Sequence, residues 1–145
     1  MTTGTTTGTT TGTASDVELI NPDTLAKPSG FTHAVRHGDT VHLSGQTAMD
    51  ATGRIVDGDI VDQFRQSLSN VVTALRAAGS EPADLLSVRI YLLDVPGYQA
   101  RGKEIGAIWT ELCGRTYPAM TGVGVTALWQ PEALIEIEAV AARRV

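Results

Sequence analysis

Apolar residues recur at intervals of three and four between Asp59 and Gly79, which places them along one stripe of a helix. Asp59 is a suitable N-cap and Gly79 a suitable C-terminal stop. The pattern therefore predicts a first helix with a single buried face. The stripe consists of Ile60, Phe64, Leu68, Val71, Val72 and Leu75.

A second helix is predicted from about Pro96 to Cys113, ended by Gly114. Stretches rich in β-branched residues, or alternating between apolar and polar residues, predict strands at residues 31–36, 41–47, 85–93, 117–125 and 134–139. Each helix has one apolar stripe, so the order β-β-α-β-α-β-β predicts an α+β fold: a mixed sheet with both helices on one face. The other sheet face then needs a cover, which we expect to be a second copy of the chain.

The two ends of the chain differ sharply in composition. Residues 1–16 form a Thr/Gly repeat with nothing apolar to bury, and we expect this tail to be disordered. Residues 17–145 are long enough for one domain with one core. Within it, residues 17–27 are expected to be an irregular lead-in, because Pro22 and Pro28 interrupt regular structure.

Charge and residue usage narrow the class of function. The formal net charge is −5 and only Arg143 and Arg144 form a basic run, which argues against nucleic-acid binding. Cys113 is the only cysteine, so an intrachain disulfide is impossible. No apolar run approaches the roughly 18 residues of a membrane-spanning helix, and no secretory signal is visible at the N-terminus. We therefore expect a soluble cytoplasmic protein that does not act at a membrane.

Candidate chemistry concentrates in the two closing strands. Because strand side chains alternate, Glu136 and Glu138 share one face. Met120, Gly122 and Gly124 share a face of the preceding strand, where the glycines leave a hollow. The alternative is a solvated pair of carboxylates beside a strand bulge.

A metal site was considered at the three histidines of the first hairpin. No Cys, Asp or Glu stands at a matching ligand spacing, so we expect no bound metal. The histidines are His33, His37 and His42.

Four stretches resemble the Rid (YjgF) family of enamine and imine deaminases. The resemblance implies a chorismate-mutase-like fold and a homotrimer with three clefts at the subunit interfaces. It also implies hydrolysis of a small-molecule substrate, a reactive enamine or imine such as 2-aminoacrylate, without metal or organic cofactor. The stretches are Leu43-Ser44-Gly45-Gln46, residues 63–70 with Ala77-Ala78-Gly79, Tyr117-Pro118-Ala119, and Ile135-Glu136-Ile137-Glu138-Ala139.

The resemblance assigns roles to residues at matching positions. Glu136 falls where the family has its water-activating glutamate, and Gly122 where a cysteine main chain helps to position that water. Phe31 falls at a position commonly tyrosine and would form an aromatic wall. Gly45 matches the glycine of the Ser-Gly-Gln stretch. Tyr117, in the Tyr-Pro-Ala stretch, is expected to contact the substrate.

Two positions depart from the family pattern. Met120 stands where deaminating members have an arginine that binds the substrate carboxylate in a fork, and a thioether cannot replace it. Lys103 stands near a cleft position that is often asparagine, and it is a candidate substrate contact.

These departures leave the function open between several hypotheses. The first is a hydrolase of imines or enamines other than small 2-imino acids. The second is a non-catalytic trimer that binds a small molecule or a protein, and the third is a tailoring enzyme in a biosynthetic pathway. Ribonuclease activity, known for some relatives, is disfavoured by the acidic charge.

Overall fold

The computed structural model describes residues 16–144, so the predicted disordered tail lies outside the described residues except for Asp16. Six strands and three helices form an α+β domain with a short 3₁₀ turn before the fourth strand. The strands are β1 (Glu18–Ile20), β2 (Ala34–His37), β3 (Thr40–Gln46), β4 (Leu85–Leu92), β5 (Ala119–Gly124) and β6 (Ile135–Ala142). The helices are α1 (Ile60–Ala77), α2 (Val95–Ala100) and α3 (Gly102–Cys113).

One mixed sheet runs in the order β1-β2-β3-β6-β4-β5, which confirms the predicted sheet type. All neighbours are antiparallel except β4 and β5, which are parallel. Because β6 lies between β3 and β4, the last two strands of the chain are not neighbours. β5 is instead the outer strand of the sheet at the end opposite β1.

The helices cover one face of the sheet, as predicted. Ile135 and Ile137 of β6 are fully buried and belong to the same core as Phe64, Leu68 and Leu75 of α1. α1 packs on β3 and β6 and lies beside α3. We call the uncovered face of the sheet the open face. No helix within residues 16–144 is long and apolar enough to cross a lipid bilayer.

The start of α1 confirms the predicted cap. The Asp59 carboxylate accepts hydrogen bonds from the backbone N–H groups of Val61 at 3.0 Å and Asp62 at 3.2 Å, and the Asp62 carboxylate accepts from the Asp59 N–H at 3.0 Å. Arg101 also binds Asp59, at 2.8 Å. Arg101, and then the cap hydrogen bonds, lower the pKa of Asp59 to about 2.

Two local predictions are wrong. Residues 18–20, expected to be irregular, form β1, in which Leu19 pairs with Val35 of β2. This strand is only three residues long and ends before Pro22, so its sequence carries almost no periodic signal. The single second helix is broken into α2 and α3, because Arg101 has the non-helical angles φ −107° and ψ 19°. Gly102 follows Arg101, and glycine is a poor helix former.

A buried amide ties α1 to the segment that enters β6. The Gln63 side chain, 3% exposed, donates to the Glu132 carbonyl at 3.0 Å and accepts from the Leu134 N–H at 2.8 Å. Both backbone groups precede the strand that carries Glu136. Gln63 therefore fixes where β6 begins relative to the helix layer.

Replacing Gln63 by leucine should destabilise the protein by about 1–3 kcal/mol, because two backbone groups lose their partner where water is scarce. Gln99→Leu on the exposed side of α2 is the matched control and should change the free energy of unfolding by less than about 0.5 kcal/mol. Urea unfolding followed by circular dichroism measures both. Equal stabilities for the two variants would show that the Gln63 bridge does not contribute.

Candidate active site

Two carboxylates of β6 lie on the open face of the sheet. Strict alternation along the strand buries Ile135, Ile137 and Ala139 and leaves Glu136 and Glu138 half-buried. The core therefore fixes the direction of both carboxylates. The strand is held from both sides, by β3 and by β4.

Glu138 has partners on the neighbouring strand. The Tyr91 hydroxyl donates a hydrogen bond to Glu138 Oε1, and Arg89 Nη1 lies 3.6 Å from the same oxygen. Both partners come from β4, where Tyr91 pairs with Glu136 and Arg89 with Glu138. The Glu138 hydrogen bond, with burial, raises the pKa of Tyr91, so the hydroxyl is a proton donor at neutral pH. Glu138 is thus an ion-paired, hydrogen-bonded carboxylate.

Glu136 has a different environment. No side chain or backbone group of residues 16–144 donates a hydrogen bond to its carboxylate. Burial, and then the negative charge of Glu138, raise the pKa of Glu136 above its ordinary value. Neighbouring carboxylates with such different surroundings suit different roles, and the unpartnered one is available to accept a proton from water.

Gly45 makes room for the Glu136 carboxylate. A Cβ atom at residue 45 would lie 2.1 Å from Glu136 Oε1, closer than any real contact. Gly45 lies where the β3–β6 pairing shifts between Leu43 and Gln46, and such irregularities re-aim the chain. The absence of a side chain here is therefore a requirement of the site.

A buried histidine holds the segment that carries Phe31. His33 is 1% exposed; its Nε2–H donates to the Ala26 carbonyl at 2.7 Å, so its Nδ1 accepts from the Gln46 amide at 3.0 Å. The Phe31 ring meets the His33 ring edge-on, with centroids 5.1 Å apart. Phe31 itself is 44% exposed, at the rim of a cavity.

Two open cavities meet at Glu136. One, of about 720 Å³, extends from Glu136 and Gly45 to Phe31 and Lys27. The other, of about 660 Å³, extends from the same carboxylate along Tyr91 and the segment after β5. Both are lined by Gly45, Trp129, Glu136 and Glu138. The arrangement offers a basic carboxylate, an aromatic rim and space for a small organic molecule.

Four of the predicted site residues lie away from these cavities in the single chain. Met120 pairs with Val88 and Gly122 with Ile90, so the register places both on the face opposite Glu136. Tyr117 stacks on Trp109, with centroids 6.1 Å apart. Lys103 is exposed on α3. One chain thus unites Glu136, Gly45 and Phe31, but not Met120, Gly122, Tyr117 and Lys103.

The sequence also matches a family of known proteins. The profile of the family described as endoribonuclease L-PSP matches residues 22–143, which include every residue of the two cavities. The chain belongs to this family, also called the Rid or YjgF family.

Individual relatives agree with this assignment. A RutC family protein of Pyrococcus horikoshii is 36% identical over 126 residues, 86% of this chain and 96% of the relative. A 2-iminobutanoate/2-iminopropanoate deaminase of Dermatophagoides farinae is 30% identical over 128 residues, 87% of this chain and 96% of the relative. The crystal structure of the Escherichia coli YjgF gene product superposes with a TM-score of 0.79 at 31% identity, covering 88% of this chain and 99% of that one. The predicted α+β fold of the Rid family is confirmed.

Trp129 and Lys27 are among the cavity-lining residues of this Rid-family protein that the sequence did not single out as site residues. Trp129 lies in the turn before β6, and its signal was an indole placed among polar turn residues. Lys27 lies in the lead-in segment and carries no sequence signal of its own.

The three histidines considered for a metal site lie in different surroundings. His33 is buried and both of its ring nitrogens are hydrogen-bonded, whereas His37 and His42 are exposed. In the part of the chain that the structure describes, no three His, Cys, Asp or Glu side chains are grouped so as to hold a metal ion.

Gly45→Ala should displace the Glu136 carboxylate without unfolding the protein. The clash is with the end of a flexible side chain, so we expect a change in unfolding free energy of at most about 1 kcal/mol. The pKa of Glu136, followed by NMR titration, should fall toward the ordinary glutamate value as the carboxylate leaves its half-buried position. Gly106→Ala on α3 is the control, because a Cβ there meets nothing within 4 Å. An unchanged Glu136 pKa in Gly45→Ala would contradict this account.

Glu136→Gln should raise the melting temperature at pH 7. A raised carboxyl pKa in the folded state means that Glu136 contributes stability below the ordinary pKa of 4.5 and loses it as pH rises through the folded-state pKa. The advantage of the glutamine variant should therefore be large at pH 7 and shrink toward pH 4. Thermal unfolding at both values tests this, with Glu132→Gln in the exposed turn as the control. A variant less stable than wild type at pH 7 would show that the carboxylate is not under this penalty.

Proposed function

We propose that this protein hydrolyses the C=N bond of an imine, or of an enamine through its imine tautomer, releasing ammonia and a carbonyl compound. The observation that carries the proposal is the Glu136 carboxylate, half-buried and without a hydrogen-bond partner among residues 16–144, at the meeting point of two open cavities. A similar protein of the same family is named as a deaminase of two imino acids, which supports the reaction class.

The proposed reaction needs one group that accepts and returns a proton. Glu136 takes a proton from water as the water oxygen adds to the imine carbon, and returns that proton to the nitrogen to give a carbinolamine. Glu136 then takes the proton of the carbinolamine hydroxyl and returns it to the amino nitrogen as the C–N bond breaks, so that the carbonyl forms and nitrogen leaves as ammonia. A base whose pKa is raised toward the working pH performs both transfers better than an ordinary carboxylate. The main chain at Gly122 is proposed to help position the water.

The second half of the proposed site comes from another copy of the chain. Met120 and Gly122 lie on β5, an outer strand whose residues are all exposed. Such an edge with apolar side chains is suited to association. We propose a homotrimer in which β5 of one copy, with Tyr117 and Lys103 nearby, completes the cavity at Glu136 of the next.

The proposed substrate differs from small 2-imino acids. Met120 offers a soft, adaptable thioether where deaminating relatives bind a carboxylate with arginine. Without that charge-assisted pair a small acid loses on the order of 2–4 kcal/mol of binding. Glu136 and Glu138 add negative charge to the same cavities. A larger, more apolar or uncharged imine is therefore the proposed substrate.

A second candidate is a non-catalytic trimer that binds a small molecule. It is favoured by the same observation at Met120, because a site that has lost its substrate-anchoring arginine can keep its shape without keeping its chemistry.

Ammonia release from enzymatically generated 2-aminoacrylate separates the two candidates. Wild type should be weakly active, and Glu136→Ala should fall to the uncatalysed rate because the base is lost. Met120→Arg should gain at least about tenfold in kcat/KM, equivalent to about 1.4 kcal/mol. Met120→Leu, of similar volume without charge, should match wild type.

A panel of uncharged imines is the companion measurement, since the proposed substrate has no carboxylate. Rates at the uncatalysed level for wild type on every imine would favour the binding protein. Light scattering after gel filtration tests the trimer, and a monomer would refute the shared site.

A further inference from the structure

Trp129 is exposed to an unusual degree. Its side chain is 91% exposed, more than any other large hydrophobic residue in the described part of the chain. Tryptophan is highly buried on average in folded proteins, because its large apolar surface is costly to hydrate. An exposed tryptophan at the border of a cavity is suited to contact a ligand or another protein surface.

The backbone beside Trp129 is firmly held. Thr47 Oγ1 donates to Gln130 Oε1 at 2.9 Å, and Gln130 Nε2 lies 3.6 Å from the Met49 sulfur. The Ala133 N–H donates to the Gln130 carbonyl at 3.1 Å, closing the turn. The turn that carries the indole is therefore held in place by these hydrogen bonds.

The position of this indole relates it to the proposed base. Trp129 lines both cavities together with Glu136. A second exposed ring, Phe31, lines the larger cavity and is held edge-on by buried His33. Two aromatic side chains on separately anchored segments thus border the space in front of one carboxylate.

We infer that Trp129 is a specificity-determining residue that stacks on a planar aromatic substituent of the imine substrate. The inference rests on the proposed imine hydrolase function. Aromatic faces attract each other beyond the gain from buried area, and an aryl imine is flat because its C=N bond is conjugated with the ring. Because Arg89 is paired with Glu138, Glu136 is the carboxylate beside Trp129 that has no partner among residues 16–144, and it disfavours an anionic substituent there, so the substrate class is a neutral aryl imine.

A matched pair of imines tests the inference. A flavin-dependent amine oxidase generates phenyl and cyclohexyl aldimines from benzylamine and cyclohexylmethylamine, which carry a flat, conjugated ring and a puckered ring of the same carbon number. Their intrinsic reactivities differ, so each variant is compared with wild type on the same aldimine. Trp129→Ala should lower kcat/KM for the phenyl aldimine up to about tenfold more than for the cyclohexyl aldimine, mainly through KM, because only the phenyl ring loses the stacking gain beyond buried area. Trp129→Phe should retain the phenyl activity within about threefold. Leu86→Ala, exposed on β4 and outside both cavities, is the control.

A binding measurement separates this inference from the reaction itself. Benzamide and cyclohexanecarboxamide are stable neutral probes of the same pair, titrated into wild type and Trp129→Ala and followed by NMR. Wild-type preference for benzamide that disappears in Trp129→Ala supports the inference, whether or not imines are hydrolysed. Hydrolysis that depends on Glu136 without any such preference overturns the inference and leaves the proposed function intact.

The competing occupant of Trp129 is a neighbouring copy of the chain. In that case Trp129→Ala would lower the activity on both aldimines equally, or reduce the molar mass measured by light scattering. Either result overturns the role in substrate selection.

Discussion

The alternation along β6 is the constraint on which the rest of this structure depends. Ile135 and Ile137 are fully buried against the helix layer, and this burial turns Glu136 and Glu138 to the open face. A slip of one residue would drive both carboxylates into the core, so the register is strongly specified. The core residues and the two carboxylates therefore alternate along one strand, and a change in its register would move both sets.

The two carboxylates have different surroundings because β4 supplies partners to only one of them. Tyr91 and Arg89 both bind Glu138, while Glu136 keeps an unpartnered carboxylate opposite Gly45. Partial burial and the charge of Glu138 disfavour ionisation of Glu136, a penalty that the core of the same strand offsets. A carboxylate whose ionisation is disfavoured by burial and by a neighbouring charge is typical of functional sites, where some stability is lost.

Sequence periodicity was sufficient to predict the elements in which apolar residues repeat at a regular interval. The stripe on α1, its Asp59 cap and the alternation around Glu136 were all visible in the chain. Periodicity failed where a feature is short: β1 has three residues, and the break between α2 and α3 is confined to Arg101. Gly122 lies on the other face of the sheet from Glu136, and this follows from strand pairing, which no local sequence pattern encodes. Trp129, which its residue type alone suggests as a core or interface residue, is 91% exposed in the single chain, because exposure is a property of the folded turn.

The sheet order also bears on how the chain is made. β6 follows the other five strands of the sheet in the sequence, yet it lies inside the sheet between β3 and β4. Until about residue 142 has been synthesised, those two strands have open edges and no common partner, and their pairings span long stretches of sequence. The sheet is therefore expected to close only once β6 has been synthesised, and deletion of β6 should leave β3 and β4 without their common partner.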